Sequence, residues 1–358
     1  MDYNSYRRKT TAIKVGDVGI GGSYPISVQS MTNTSPYDHD ATYRQICELA
    51  DAGCDIVRLA IPDIEAVAVI SEMKRRGVRV PLVADIHFDY RIALAAIEAG
   101  VDKIRINPGN IGSREKTEAV ARACKEREIP IRIGVNSGSV EKTILEKYGA
   151  PTAEALAESA LYHAGILEEL NFDKIALSVK ASSVPEMIEA NRILARRTSY
   201  PLHLGVTEAG ARERAAVKSS VGIGALLAEG IGDTVRVSLT ENPVREVALA
   251  GEILSTLGLS ERRGMDIVSC PTCGRTQINL IRLVEEFEAK TRLLGLDKKK
   301  IKVALMGCAV NGPGEARESD VGIAGGIGEG LLFKKGKTVR KIKEDRLIDE
   351  LIEEIKLL

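Results

Sequence analysis

The chain has 358 residues, of which 44% are hydrophobic and 28% are charged. This balance is typical of a soluble globular protein and excludes a largely disordered chain. The 50 basic and 50 acidic side chains give a formal net charge of zero, so charge provides no general argument for nucleic-acid binding. The six cysteines are too few for a disulfide scaffold but sufficient for one metal site.

The sequence predicts neither a membrane span nor a secretory signal. No apolar run reaches the roughly 18 residues that a transmembrane helix needs. The segment MDYNSYRRKTTAIKVGDVGIGG is charged and has no continuous apolar stretch or small-residue cleavage site, unlike a signal peptide. We therefore expect a cytoplasmic protein whose cysteines are thiols or metal ligands.

Short β-branched segments alternate with helix-length segments between residues 25 and 240. They are mostly apolar, as strands buried on both faces are. Eight such repeats predict a (β/α)8 TIM barrel. A doubly wound open sheet is the alternative, although no GxGxxG follows the first strand. The predicted strands are PISVQSM (25–31), IVRLAI (56–61), VPLVADI (80–86), KIRINPG (103–109), IRIGVN (131–136), KIALSVK (174–180), LHLGVTE (202–208) and TVRVSL (234–239).

The remaining residues predict a second, smaller domain. The polar stretch STLGLSERRG is typical of a linker. We expect a barrel domain at 1–257, a linker at 258–264 and a small α+β domain at 265–358. The second domain is predicted to contain, in order, a strand, a helix, a strand, a glycine-rich stretch, a hairpin and a final helix.

A short internal repeat joins the end of a helix to the start of a strand. DAGCDIVRL (51–59) and EAGVDKIRI (98–106) align, and GDTVRV (232–237) repeats their Asp-x-x-Arg element. Helix-to-strand turns favour Gly and Asp, but that preference does not explain an arginine inside three strands.

The predicted carboxyl ends of the strands, where a TIM barrel has its active site, are unusually polar. Arginine pointing into a barrel is costly unless it meets an anion. Four arginines and a lysine therefore indicate a multiply charged anionic substrate, and a diphosphate matches the guanidinium fork. The alternative is that some arginines form structural bridges with Asp85 and Glu208. The polar residues are Arg58, Asp85, His87, Arg105, Asn107, Arg132, Asn136, Ser178, Lys180, Glu208, Arg236 and Ser238.

Two weaker features accompany these strand ends. NPGNIGS (107–113) is a glycine-rich turn that could present backbone N–H groups to phosphate, although such turns are also common as plain connections. His39, His163 and His203 have no ligand-like surroundings in the sequence, and we expect ordinary structural roles for them.

Three cysteines stand in a pattern that suits a soft metal centre. Cys270 and Cys273 form a C-x2-C pair in SCPTCGRT, and Cys308 follows in MGCAVNGPGE. This spacing fits either zinc or an iron–sulfur cluster. The other three cysteines lack a Cys or His at ligand spacing and are expected to be inert buried thiols; they are Cys47, Cys54 and Cys124.

A four-iron cluster needs a fourth ligand, and the second domain contains no further Cys or His. Glu315, at the end of the glycine-rich turn after Cys308, is the carboxylate candidate. A hard oxygen ligand would be labile and would leave one iron open to substrate, which favours a catalytic cluster. A structural zinc site on the three cysteines is the alternative.

The whole chain resembles the bacterial 4-hydroxy-3-methylbut-2-enyl diphosphate synthases of the non-mevalonate isoprenoid pathway. The motifs that carry the resemblance are QSMTNT, DIVRLAIP, ADIHFDY, KIRINPGNIG, IRIGVNSGS, SVKAS, LGVTEAG, RVSLT, SCPTCGRT and MGCAVNGPGEA. No large insert separates the two predicted domains, so the chain resembles the two-domain bacterial form.

The resemblance implies a reaction and its residues. It implies reductive ring opening and dehydration of 2-C-methyl-D-erythritol 2,4-cyclodiphosphate. It also implies a [4Fe–4S] cluster on Cys270, Cys273, Cys308 and Glu315, with Glu315 and the proton-handling Glu208 as catalytic residues. The implied substrate contacts are Arg58, Arg105, Arg132, Asn136, Lys180, Thr207, Arg236 and Ser238.

The resemblance further implies partners. In the family, the cluster domain of one subunit caps the barrel of the other in a head-to-tail homodimer, and electrons come from a carrier. A flavodoxin or ferredoxin could dock on the basic residues of the second domain, which equally could be an ordinary solvated surface. These residues are Lys298, Lys299, Lys300, Lys302, Lys334, Lys335, Lys337, Arg340, Lys341 and Lys343.

Two other functions remain open at this point. One is a non-redox barrel, such as a phosphate-ester lyase or pterin-type synthase with a structural zinc site. The other is a binding protein that senses the state of a cluster. The iron and sulfide content of the protein and its turnover of the cyclodiphosphate distinguish these alternatives.

Overall fold

A computed structural model describes residues 5–260, 264–308 and 317–358. The chain divides into two units, Met1–Ser260 and Glu261–Leu358. The predicted ligand Glu315 and residues 261–263 of the predicted linker lie outside the described residues.

The first unit is built on eight parallel strands, which confirms the predicted TIM barrel. Their order is β8-β7-β6-β5-β4-β3-β10-β9, and a parallel bridge between Leu177 and Leu202 joins the two ends. Each of the eight predicted segments contains one barrel strand. After β1 (Ile13–Val15) and β2 (Val18–Ile20), these are β3 (Ser27–Met31), β4 (Ile56–Ala60), β5 (Leu82–Asp85), β6 (Lys103–Ile106), β7 (Ile131–Asn136), β8 (Ile175–Lys180), β9 (His203–Leu204) and β10 (Thr234–Val235).

Helices follow every barrel strand and cover its outer face. Their buried sides pack with the strands in one continuous hydrophobic core, which provides most of the apolar burial of the unit. Side chains cap several helices; Asp38 accepts a hydrogen bond from the Ala41 N–H at the start of α1. The helices are α1 (His39–Asp51), α2 (Ala68–Arg75), α3 (Tyr90–Glu98), α4 (Arg114–Glu126), α5 (Lys142–Tyr148), α6 (Ala153–Glu169), α7 (Val184–Arg197), α8 (Arg212–Ala228) and α9 (Pro243–Thr256).

An antiparallel hairpin of β1 and β2 packs beneath the barrel and was not anticipated from the sequence. Its residues Ile13, Val15 and Ile20 form a small buried cluster with Ile56 and Val83, near the amino-terminal ends of their strands. The base of the barrel is therefore closed by apolar side chains.

The Asp-x-x-Arg repeat has a structural explanation. Asp55, Asp102 and Asp233 each accept a hydrogen bond from a backbone N–H at the start of a neighbouring strand segment, at 2.7–2.8 Å. Each aspartate thus sets the alignment of the strand that follows it with the neighbouring strand segment. The arginine three residues later then emerges at the carboxyl end of the barrel.

The second unit is a five-stranded mixed sheet in the order β11-β12-β13-β14-β15. The first three strands run parallel, and the last two form the predicted hairpin. Two helices contribute to the main core of this unit. The elements are β11 (Asp266–Ser269), α10 (Leu280–Leu293), β12 (Lys302–Met306), β13 (Val321–Gly325), β14 (Glu329–Lys334), β15 (Lys337–Lys343) and α11 (Leu347–Lys356).

Strand β13 lies in the segment that the sequence indicated only as glycine-rich. Gly322 is required there, because a Cβ atom at this position would overlap the Ala304 carbonyl oxygen and the Phe333 ring. The glycines thus permit close packing inside a sheet as well as a turn.

Among the described residues, no helix is long and apolar enough to cross a membrane.

Two leucines of α10 test the second core. Leu283 is 2% exposed and Leu293 is 86% exposed. Leu283→Ala should lower the free energy of unfolding by about 2–5 kcal/mol, because it leaves a cavity, while Leu293→Ala should change it by less than about 0.5 kcal/mol. Chemical denaturation of the full chain measures both, and equal losses would contradict the assigned packing.

Candidate functional site

A polar cavity opens at the carboxyl ends of the barrel strands. It brings together all eight predicted substrate contacts, which is the arrangement expected of a barrel active site. Asp85, His87, Gly134, Val135 and Ser178 line it as well. The eight contacts are Arg58, Arg105, Arg132, Asn136, Lys180, Thr207, Arg236 and Ser238.

Asp85 is the carboxylate closest to the cavity arginines. Its oxygens lie 3.7 Å from Nε of Arg58 and 3.2 Å from Nη1 of Arg105. Burial by itself would raise the pKa of Asp85, but Arg58, His87 and Arg105 outweigh it and hold that pKa below its usual value. Burial, in turn, lowers the pKa of Arg58 to about 10 despite the attraction of Asp85. Part of the predicted structural bridging therefore exists, and it involves one carboxylate shared by two arginines.

Among the described residues, Arg132 and Lys180 are the cavity cations that form no ion pair, unlike Arg58, Arg105 and Arg236. Arg132 is 1% exposed, and its Nε and Nη2 have no hydrogen-bond partner among the described residues. Burial and the neighbouring arginines lower the pKa values of both side chains well below their usual range. A bound anion would reverse this destabilisation, since an opposite charge favours the ionised forms.

Glu246 supports the cavity from outside the barrel, although it belongs to none of the sequence motifs. This residue of α9 is 5% exposed. Its carboxylate accepts hydrogen bonds from Ser30 Oγ and the Leu239 N–H and lies 3.6 Å from Nε of Arg236. It therefore fixes the segment after β10. A buried acidic residue in the first turn of the last barrel helix was the only available signal.

Two glycines make room for the long cationic side chains. A Cβ atom at position 134 would overlap the guanidinium of Arg105, and one at position 205 would lie 2.8 Å from Nζ of Lys180. These positions require close approach of a side chain to the backbone, which strand patterns alone do not reveal.

Glu208 does not line the cavity with the other predicted residues. Its side chain is exposed, and its backbone is left-handed, with φ of 52°. Such a conformation is uncommon for a non-glycine residue and clusters at functional sites. Glu208 directly follows Thr207, which does line the cavity.

Two N–H groups of the glycine-rich turn 107–113 already have partners within the protein. The N–H of Gly109 donates to Nδ1 of His163, and that of Asn110 donates to the Asn107 carbonyl. This geometry favours the alternative of a braced connection. His163, expected to be an ordinary residue, is thus joined to the edge of the site.

The three predicted cysteine ligands lie near the carboxyl ends of β11 and β12. Cys270 immediately follows β11, and Cys308 comes two residues after β12. Backbone hydrogen bonds connect the 270–277 loop to the end of β12: the Cys270 N–H donates to Leu305, and the Gln277 N–H donates to Gly307. The N–H of Gly307 also donates to Sγ of Cys270, at 3.2 Å.

The thiols fit a soft metal centre in their chemistry. A backbone N–H and the side chain of Arg275 lower the pKa of Cys273, which favours the metal-binding thiolate. By contrast, burial raises the pKa values of Cys54 and Cys124 to about 12, as expected for inert thiols. Within the described ranges, no three His, Cys, Asp or Glu side chains are grouped as a formed metal site.

Most of the predicted docking lysines lie at the opposite end of the second sheet from the cysteines. Lys298–Lys302 precede or begin β12, and Lys334–Lys337 surround the β14–β15 turn. A strand of five residues spans about 16 Å. Only Lys341 and Lys343, beside Glu329, lie toward the cysteine end.

Sequence models of a known family cover most of the chain. The GcpE TIM-barrel domain matches residues 10–251, and the GcpE protein C-terminal domain matches residues 266–357. The chain belongs to the GcpE family. The resemblance inferred from the motifs is thereby confirmed.

Full-length relatives agree with this assignment. The chain is 58% identical to a 4-hydroxy-3-methylbut-2-en-1-yl diphosphate synthase (flavodoxin) of Clostridium perfringens, over 98% of this chain and 99% of the relative. It is 57% identical to the protein of the same name from Geobacter sulfurreducens, over 98% of each.

Solved structures share the barrel. A Plasmodium falciparum HPPK-DHPS with pterin and p-hydroxybenzoate superposes with a TM-score of 0.50 at 12% identity, over 70% of this chain and 48% of that one. Dihydropteroate synthase from Xanthomonas albilineans gives 0.49 at 14% identity, over 69% and 97%. At 12% identity, the superposition on the Plasmodium falciparum protein shows a shared fold and nothing more.

The Asp85 carboxylate provides a pH-dependent test. Asp85→Asn removes the charge between two buried arginines and should lower the free energy of unfolding by about 3–5 kcal/mol at pH 7. Because the pKa of Asp85 is lower in the folded protein than in the unfolded chain, its ionised carboxylate stabilises the fold at pH values above the unfolded-state pKa near 4. This stabilisation is lost progressively as the pH falls below that value. The difference between wild type and variant should therefore narrow by about 1 kcal/mol at pH 3. Urea denaturation measures it; a gap that widened in acid would contradict the assignment.

Proposed function

We propose that the chain catalyses the reductive ring opening and dehydration of 2-C-methyl-D-erythritol 2,4-cyclodiphosphate to 4-hydroxy-3-methylbut-2-enyl diphosphate, in isoprenoid biosynthesis. The observation that carries the proposal is the convergence of four arginines and Lys180 on one barrel cavity, with Arg132 buried and incompletely paired. Such a cavity selects a compact, multiply charged anion. The relatives' shared name identifies the anion's class.

The reaction consumes two electrons and two protons and releases one water. The arginines and Lys180 hold the diphosphate and position the carbon–oxygen bond that breaks. The same cations stabilise the negative charge as the phosphate oxygen leaves carbon. Glu208, next to the cavity residue Thr207, is assigned to proton delivery.

A [4Fe–4S] cluster held by Cys270, Cys273, Cys308 and Glu315 is proposed as the cofactor. When bound, it supplies the electrons for the reduction. This chain's own residues provide thiolates at two neighbouring strand ends, and an N–H donor to Cys270 of the kind that tunes cluster potential. A flavodoxin is proposed as the electron donor. The lyase and pterin-synthase alternatives are not favoured, because the full-length relatives are named as flavodoxin-dependent synthases.

Product formation tests the function directly. Anaerobically purified protein, supplied with the cyclodiphosphate and a reduced flavodoxin, should form 4-hydroxy-3-methylbut-2-enyl diphosphate. Mass spectrometry identifies the product. Colourless protein that contains zinc instead of iron and sulfide, and that does not turn over, would overturn the proposal.

Cysteine substitutions test the cofactor assignment. Cys308→Ser should lose most of its iron and sulfide and at least about 100-fold in turnover, because a hydroxyl is a poor cluster ligand. Cys47→Ser, in α1 of the barrel, is the matched control and should retain both. Iron analysis and electron paramagnetic resonance report the cluster independently of activity. A fully loaded Cys308→Ser protein would remove this residue from the ligand set.

A head-to-tail homodimer is also proposed, with the barrel and the cysteines of each active site supplied by different subunits. Lys180→Ala and Cys308→Ser should each be inactive alone. Co-expressed, they should regain about a quarter of wild-type activity, because each mixed dimer then has one intact site. Absence of recovery in isolated mixed dimers would show that both parts come from one subunit.

A further inference from the structure

A buried histidine outside the cavity holds the turn that follows β6. His163 of α6 is fully buried, and its Nδ1 accepts a hydrogen bond from the Gly109 N–H at 3.1 Å. Because Nδ1 is the acceptor, the neutral ring carries its proton on Nε2. Nε2 lies 2.5 Å from Oε1 of Glu141, at ion-pair distance, and a carboxylate at this place favours that tautomer.

The carboxylate is suited to that role. Burial alone would raise the pKa of Glu141, but the nearby side chains of His163 and Ser159 outweigh it, and the pKa lies below its usual value. Glu141 therefore stays ionised at neutral pH. An ionised carboxylate this close to Nε2 favours the observed orientation of the ring, as the carboxylate partner of a histidine does in many sites.

The turn in question connects directly to a cavity arginine. Oδ1 of Asn107 accepts from the Gly134 N–H at 3.0 Å, and the Gly134 carbonyl accepts from Nη2 of Arg105 at 2.7 Å. Thr117 also donates to the Pro108 carbonyl at 3.2 Å. A continuous series of contacts thus runs from α6 through the turn 107–110 to Arg105.

We propose that His163, held beside Glu141, is a positioning residue for Arg105. His163 holds the turn 107–110 through the N–H of Gly109, and Asn107 of that turn holds the N–H of Gly134. The Gly134 carbonyl in turn orients the guanidinium of Arg105, which is assigned to the diphosphate. Neither His163 nor Glu141 lines the cavity, so their effect reaches the substrate through Gly134 and Arg105, which do. The identity of that substrate rests on the proposed function, whereas the contacts themselves do not.

Two amide substitutions separate the two contacts of the ring. In His163→Asn, the short amide places its oxygen near the position of Nδ1, so the bond from Gly109 is kept and the contact with Glu141 is lost. In His163→Gln, the longer amide reaches Glu141 but leaves the Gly109 N–H without its acceptor. Gly109→Ala disturbs the same contact from the other side, since its Cβ would lie 2.8 Å from Cε1 of His163. His39→Asn and His39→Gln are matched controls on α1.

His163→Gln and Gly109→Ala should raise KM for the cyclodiphosphate about 10-fold and change kcat less than about 3-fold. Binding that is equal in the ground and transition states appears in KM. His163→Asn and both controls should stay near wild type. Hydrogen–deuterium exchange at Gly109 should accelerate in the Gln variant alone among the histidine variants. The holoenzyme is used throughout, and Gly109→Ala serves if His163→Gln does not fold.

Two results would overturn the positioning role. One is an equal rate of hydrogen–deuterium exchange at the Gly109 N–H in His163→Asn and His163→Gln. The other is an unchanged KM in a variant whose Gly109 N–H has lost its protection from exchange. A purely structural role would lower thermal stability in both variants without moving KM. If wild type does not turn over the cyclodiphosphate, the proposed function fails separately. The dissociation constant of inorganic pyrophosphate then replaces KM, and it should rise in the Gln variant but not in the Asn variant.

Discussion

The structure depends on an excess of buried positive charge at one end of a TIM barrel. Barrel interiors are ordinarily filled by Val, Ile and Leu, whereas this one holds four arginines and Lys180 around a shared cavity. Buried charge without a partner is costly, and Asp85 and Glu246 are the carboxylates that approach these arginines. The hydrophobic shell between strands and helices and the apolar base beneath the barrel offset that cost. In the proposed function, an anionic substrate completes the balance.

Most carboxylates around the site accept hydrogen bonds from the backbone, and Asp85 and Glu246 also approach the arginines. Asp55, Asp102 and Asp233 accept backbone N–H groups at strand starts, and Glu246 accepts the Leu239 N–H. Glu141 acts one step farther out through a histidine. These contacts position the arginines, and the guanidinium of Arg132 keeps two nitrogens without a partner among the described residues, a preorganisation suited to phosphate recognition.

Much of this architecture could be predicted from the sequence. The eight strands were found because strands buried on both faces are apolar and regularly spaced, and the arginines were found because charge inside such strands is conspicuous. The hairpin β1–β2 was missed because its strands are three residues each. Glu246 was missed because its role comes from contacts between distant segments, and the role proposed for His163 rests on contacts of the same kind. The sequence around a side chain does not show which distant residue it contacts in the fold. The C-x2-C pair was recognisable because its two cysteines are close in sequence.

The central claim is that the barrel cavity is built for the phosphates of its substrate. The most direct measurement is the free energy of unfolding of the full chain with the cyclodiphosphate and, separately, with 2-C-methyl-D-erythritol, which has no phosphate. The account predicts that the cyclodiphosphate stabilises the protein by about 2.7 kcal/mol at a concentration of 100 times its Kd, while the phosphate-free tetrol at the same concentration has no effect. Equal stabilisation by both compounds, or none by the cyclodiphosphate, would contradict it.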